Sequence, residues 1–291
     1  MGWKEIDDNL NKRKSQSIAT RFKFDDLKTQ QALLLSENDL GVVRNGGRRG
    51  ASHGPKVILS QLKKFADHNN LQELGIISVA NQGQLDFDKM QSQSIKTIKN
   101  VTAKKIVHLG GGHDHVYPLA MGIELKNPLL INIDAHLDTR SDDVYHSGTP
   151  FRQVANQKEV KILQIGIHQY ANVPQNYEGM KMDIIDTKKL KELSHTFSDI
   201  SFMDEIYKNH DGDILFSIDA DAIAAADMQA VSAVNHDGIP LEFLRKLVSQ
   251  YKENTVNKKQ ILGIYEYNPL FDELSAKDAR ALASLIYDFL I

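Results

Sequence analysis

With 291 residues, 41% of them hydrophobic, the chain is long enough to bury a sizeable core. Its 35 basic and 38 acidic residues leave a formal charge of −3, so no basic surplus points to nucleic acid. Cysteine is absent, which excludes a disulfide framework and a thiol nucleophile and fits a reducing compartment.

The N-terminal stretch MGWKEIDDNLNKRK lacks the apolar centre of a signal peptide, and Ile6 stands where a myristoylation signal needs Ser or Thr. No apolar run approaches the ~20 residues that span a bilayer. A cytoplasmic protein with no membrane association is therefore expected. GVVRNGGRRGASHGP reads as a glycine-rich loop, with Pro55 opening the helix PKVILSQLKKFADH. A strand LGIISVAN, a helix LDFDKMQSQSIKTIKN and a strand KKIVHLG follow. Beyond the GGGHDH string a helix leads to the strand NPLLINIDA. The 140s form a polar loop, and a helix begins at about Phe151.

The second half offers strands VKILQIGI, MDIIDT, GDILFSID and KQILGIYEYN. Helices KKLKELSH, SFMDEIYKNH, PLEFLRKLVSQY and SAKDARALASLIYDFL accompany them. Short apolar runs alternating with amphipathic helices predict a three-layer α/β/α fold with a mainly parallel sheet of about eight strands. No Pro/Gly-rich break interrupts the pattern, so a single domain over residues 1–291 is expected.

Three of these segments carry ionisable groups directly after a strand. INIDAHLDTR places Asp134, His136 and Asp138 two apart, and in extended backbone such side chains share a face. SIDAD repeats the spacing with Asp219 and Asp221, and GGGHDH supplies His113. So many charges beside a core are costly unless a cation compensates them. A lone D-x-D or Gly-Gly-Gly-His is more often a turn or cap; three such segments, each after a strand, point to metal. Four carboxylates balance two divalent cations. Oxygen and nitrogen donors suit Mn²⁺ and accept Fe²⁺, Co²⁺ or Zn²⁺. A shared carboxylate would hold the pair roughly 3.5–4 Å apart, the arrangement that activates water for hydrolysis. Glu266 also follows a predicted strand, and ligands of open α/β sheets bind beyond such ends.

GGGHD, DAHLD, SIDAD and EYNP resemble the signature blocks of the ureohydrolase superfamily of arginases, agmatinases and formimidoylglutamases. The resemblance runs from RNGGRRGASHGP to EYNP. The triple-glycine GGGHD, Arg140 after DAHLD, and SGTPFRQ at 147–153 are most similar to formimidoylglutamases.

That resemblance implies an arginase-like fold, two Mn²⁺ per subunit and cleavage of a C–N bond in an amidine or guanidine. One metal would take His113, Asp134, Asp138 and Asp219; the other would take His136, Asp134, Asp219 and Asp221. The expected reaction is N-formimidoyl-L-glutamate plus water giving L-glutamate and formamide, a step of histidine degradation. Asp221 either relays a proton to the leaving amine or is a ligand only. Glu266 is expected to accept hydrogen bonds from the planar amidinium. Arg140 and Arg152 are expected to pair with substrate carboxylates, against the plainer reading of surface or helix-start arginines. Asn45 and Arg48 either reach the site or stabilise their turn. His146 is a candidate proton shuttle, although Ser147 separates it from Gly-Thr where agmatinase-like relatives have His directly before that pair. His115 and His168 read more readily as packing histidines.

After SIDAD the family's Pro-Gly before Val-Ser is replaced by Gln229-Ala230, so the substrate side departs from the pattern while all six ligands remain. An agmatinase or another guanidino-acid hydrolase releasing urea is the alternative, and a metal-binding protein without turnover is the competitor from another class. Relatives assemble into trimers or hexamers, so a homo-oligomer is expected.

Overall fold

A computed structural model describes residues 11–68 and 71–291; the N-terminal stretch read for signal and lipidation motifs lies largely outside the described residues. Nine strands form one sheet: β1 (Phe22–Phe24), β2 (Gln31–Ser36), β3 (Leu74–Ala80), β4 (Lys105–Gly110), β5 (Leu129–Ile133), β6 (Lys161–Ile167), β7 (Asp183–Asp186), β8 (Ile214–Asp219) and β9 (Gln260–Tyr265). Their spatial order is β1-β3-β2-β4-β9-β8-β5-β6-β7, and every pairing is parallel.

The sheet is covered on both faces because its strands are apolar at odd and even positions alike. Leu33, Val107, Ile131, Leu163, Phe216 and Leu262 point to one side. There they meet helices Gly54–Leu62, Leu241–Asn254 and Lys277–Leu290, among others. Leu34, Ile106, Leu130, Ile162, Leu215 and Ile261 point to the other side, against helices that include Val116–Gly122 and Pro150–Ala155. Phe216 is fully buried and stacks on Tyr251 at 5.2 Å. Burying a side chain of that kind contributes about 1.5–3 kcal/mol. Tyr251 also donates its hydroxyl to the Ile214 carbonyl and accepts from the Ile261 N–H, which ties helix Leu241–Asn254 to two strands.

Two strands were absent from the sequence reading. β1 is only three residues long, too short a run to read, and β2, QALLLS, is buried at all six positions and shows no polar–apolar alternation. The central four strands, β4-β9-β8-β5, matter most for function. Their carboxyl ends lie side by side, and each leads directly into one of the motifs singled out above.

Candidate metal centre

The D-x-H-x-D motif does not continue its strand. β5 stops at Ile133, and Asp134 to Arg140 form an irregular loop. The period-two expectation for this segment is thus corrected: a turn brings the side chains together. The Asp134 carboxylate accepts the His136 backbone N–H at 2.7 Å, bending the chain after the strand. Asp138 then adopts φ +50°, a conformation uncommon for a non-glycine residue. SIDAD uses the same device, Asp219 accepting the Asp221 N–H at 2.8 Å as the chain enters a 3₁₀ turn at Ala220–Ala222.

The glycine run before His113 is required by close approach. A Cβ on Gly111 would lie 2.3 Å from the Asn38 carbonyl oxygen, and one on Gly110 would lie 2.6 Å from the Tyr265 ring. The His113 ring stacks on Tyr265 at 5.0 Å and meets the Phe151 edge at 5.5 Å. Its Nε2 lies 2.9 Å from Ser217 Oγ. We assign Nε2–H as donor to that hydroxyl, which leaves the Nδ1 lone pair facing the carboxylates.

His113 Nδ1 lies 3.2, 2.9 and 3.1 Å from carboxylate oxygens of Asp134, Asp138 and Asp219. It is buried, yet it has no hydrogen-bond partner of acceptable geometry. These four residues offer one ligand atom each within 4.8 Å of one another. Asp134, His136 and Asp221 form a second such group, with His136 Nδ1 3.2 Å from Asp221. Asp221 Oδ1 is likewise buried and unpartnered. Asp134 belongs to both groups; Asp219 falls in the first alone.

Burial pushes Asp219 well above the usual carboxylate range, Asp221 and Asp134 adding to the effect, and lifts Asp138 to about 6. Asp134 is held low: burial would raise it, but its bonds to His113 and His136 outweigh that. Burial likewise opposes protonation of His136, yet the Asp221 and Asp134 carboxylates push it up to about 12. The cluster thus takes up protons where positive charge is missing. Orphaned lone pairs converging on two points, with oxygen and nitrogen donors and no sulfur, fit a pair of divalent cations.

Beside the cluster opens a cavity of about 380 Å³. Asp138, Asp219, Asp221, His136 and Glu266 form its floor, and Asn45, Arg140, Ser147, Asn172, Asn176 and Ser232 contribute to its walls. Glu266 is buried at φ +64° and accepts the His113 N–H at 2.9 Å. Burial lifts it to about 8, against the pull of that hydrogen bond. Asn45 donates to Ser147 Oγ at 3.0 Å. Sequence reasoning placed the Ser232 loop on the substrate side but did not single out Asn172 or Asn176 as wall residues. A signal existed for these two, since ANVPQN follows the carboxyl end of β6.

Arg152 and His146, expected to meet the substrate, do not line this cavity. Arg152 spends its guanidinium on main-chain carbonyls of Thr139, Asn176 and Glu178, at 2.7, 3.3 and 3.1 Å. It faces a different cavity, with Lys158 and Lys161. His146 is buried with both ring nitrogens occupied: Nδ1 accepts the Gly148 N–H at 3.0 Å, and Nε2 pairs with Asp142 at 2.7 Å. A shuttle needs a free nitrogen facing the reacting group; here both are engaged within the loop, and the ring lies 3.4 Å from Arg140 Nη2.

Arg48 ties its loop to distant segments and does not line the cavity. It donates to the Val231 and Ser232 carbonyls at 3.0 and 2.6 Å and lies over the Phe271 ring. His115 bonds the Asn38 carbonyl, and His168 bonds Asn235 and Thr187, both as packing histidines. Where the Pro-Gly of the resemblance is missing, the Asp278 carboxylate accepts N–H groups of both Gln229 and Ala230, at 2.7 and 2.8 Å. A proline at 229 would have no such hydrogen to give.

The chain is 31% identical to a formimidoylglutamase of Klebsiella pneumoniae subsp. pneumoniae, over 92% of this chain and 87% of that protein. It is also 31% identical to a formimidoylglutamase of Staphylococcus aureus, over 87% and 83% of the two chains. Among solved structures, a Trypanosoma cruzi formiminoglutamase variant with Mn²⁺ superposes with a TM-score of 0.80 at 20% identity, covering 94% of this chain and 96% of that one. The formimidoylglutamase of Bacillus subtilis gives 0.81 at 18% identity, covering 94% and 91%. The model of the arginase family matches residues 39–291, and the chain belongs to that family.

Proposed function

We propose that this protein is a binuclear-manganese formimidoylglutamase, hydrolysing N-formimidoyl-L-glutamate to L-glutamate and formamide. The observation that carries the reading is the cavity itself: Asp138, Asp219, His136 and Asp221, from two ligand groups that share the deeper Asp134, line it beside a buried Glu266, and Arg140 is a cationic wall residue. The relatives' name supplies the substrate. The first cation would rest on His113, Asp134, Asp138 and Asp219, and the second on Asp134, His136 and Asp221 with Asp219 beside them. When bound, two such cations lower the pKa of water and stabilise developing negative charge.

The chain's own groups do the rest. Glu266 accepts N–H bonds from the formimidoyl group, and a cationic amidine there favours its charged form, offsetting the effect of burial. Asp221 has an unpartnered carboxylate oxygen beside the cavity; it takes the proton released by the attacking water and passes it to the glutamate nitrogen as the C–N bond breaks. Arg140 pairs with a substrate carboxylate, and Asn45 with Ser147 supplies neutral donors beside it. An amine-tailed guanidine such as agmatine meets Arg140 with like charge, which disfavours the agmatinase alternative.

A cytoplasmic homo-oligomer working in histidine degradation, without nucleic acid or membrane partners, completes the proposal. The cysteine-free, near-neutral composition supports the setting, and the family resemblance supports the assembly. Among the described residues no helix is long and apolar enough to cross a membrane. Light scattering on the purified protein measures the oligomer order.

The test is a Mn²⁺-reconstituted assay of formamide and glutamate release, with agmatine, arginine and guanidinobutyrate run alongside for urea. Selective formamide release, abolished by Asp134→Ala, is expected. Urea from a guanidine would replace the substrate, and silence on every compound with two metals bound would favour a non-catalytic metal protein.

A further inference from the structure

Arg152 was expected at the substrate and is found behind the wall. The segment Asp134–Arg140 carries ligands on one side and leans on the loop 168–178 with the other. No strand ladder or helix joins these two segments. One main-chain bond, from the His168 N–H to the Ala135 carbonyl at 3.0 Å, joins them at the start of the loop, and side chains hold the rest. Asn172 accepts the Leu137 N–H at 2.9 Å and donates to the Ala135 carbonyl at 3.1 Å. Thr139 Oγ1 donates to the Asn176 carbonyl at 2.6 Å. Arg152 spans the same junction, with Nε on the Thr139 carbonyl and Nη2 on those of Asn176 and Glu178. Its helix, Pro150–Ala155, is itself fixed to the metal loop, because the Phe151 N–H donates to the Asp138 carbonyl at 3.1 Å.

Asn172 and Asn176 form one side of the cavity, and Arg140, next to Thr139, lines it as well. We propose that Arg152 is a positioning residue whose guanidinium sets the spacing between the Arg140 segment and the Asn172–Asn176 wall. It thereby tunes affinity for the carboxylate end of the substrate and leaves the chemistry at the metal ligands alone. A planar fork reaches carbonyls on two segments at once, which a lysine ammonium on its flexible stem does not reproduce. This inference rests on reading the cavity as the substrate site.

The test compares wild type with Arg152→Gln, Arg152→Lys and Thr139→Val, using Lys158→Gln as a control that faces the cavity behind Arg152. For Arg152→Gln, KM is expected to rise about tenfold with kcat within about threefold, the pattern of lost binding without lost chemistry. Arg152→Lys should recover only part of this, Lys158→Gln should match wild type, and bound manganese should stay unchanged in all. Calorimetric binding of L-glutamate, the product of the proposed reaction, should weaken in parallel. Wild-type KM in Arg152→Gln, or a fall in kcat accompanied by metal loss, overturns the inference. If Arg152→Gln does not fold, Thr139→Val decides: raised KM at unchanged kcat supports the proposal, and wild-type KM overturns it. Wild-type turnover in the same assay tests the functional reading separately. Should the preferred amidine prove different, the variant-to-wild-type ratios are read on that compound.

Discussion

His113 shows how one side chain is committed to a task by its neighbours. Ser217, a buried polar residue in the middle of strand β8, takes the ring's Nε2–H and turns Nδ1 toward three carboxylates. Replacing Ser217 with Ala removes that constraint while leaving every ligand in place. Manganese affinity measured by calorimetry should fall about 10–100-fold, the usual cost of losing such a partner; unchanged affinity would mean that the ring is held by Tyr265 and Phe151 alone. At this scale the sequence announced the carboxylates and imidazoles, because three such segments, each directly after an apolar run, point together to a metal where one alone would read as a turn. It did not reveal Ser217, which looks like any strand serine, nor the true occupation of Arg152 and His146. Their partners are main-chain groups and a loop carboxylate that only the folded arrangement brings near.

Secondary-structure elements deliver the ligands through how they end. β4, β5, β8 and β9 are neighbours in one parallel sheet, so their ends form a row about 4.8 Å apart per step. The chain leaves each end differently: through glycines after β4, through carboxylate-capped turns after β5 and β8, and through a left-handed Glu266 after β9. Gly111→Ala tests the first of these. Its Cβ would meet the Asn38 carbonyl, and overpacking of this kind costs about 1–3 kcal/mol. Denaturant unfolding should record that loss, and wild-type stability would show that the loop yields freely. Strand order could not be read from the sequence, since periodicity says that a run is buried but not beside which partner. The apolar pattern did place helices such as Leu241–Asn254 and Lys277–Leu290, whose stripes are long enough to be unambiguous.

Taken as a whole, the molecule folds around a concentration of buried charge, and its stability should depend on pH in a way set by the metals. Without them, Asp138 at about 6 and Glu266 at about 8 sit above the roughly 4 of an unfolded carboxyl. The folded state then holds protons that the unfolded chain releases, so stability falls as pH rises from about 4 through 8. His136, raised to about 12, acts in the same direction above its unfolded value of about 6.5. Metal binding needs the ligands among them, Asp138 and His136, deprotonated, and so strengthens over the same interval. The gap in Tm between manganese-loaded and metal-free protein should therefore widen steadily from pH 5 to pH 8; a constant gap would contradict the placement of Asp138 and His136 in the metal site. The most direct measurement is anomalous diffraction at the manganese edge from crystals grown with Mn²⁺. Two peaks are predicted, one bounded by His113, Asp138 and Asp219, the other by His136 and Asp221, with Asp134 touching both. A single peak, or a pair that Asp134 does not bridge, would contradict the binuclear centre.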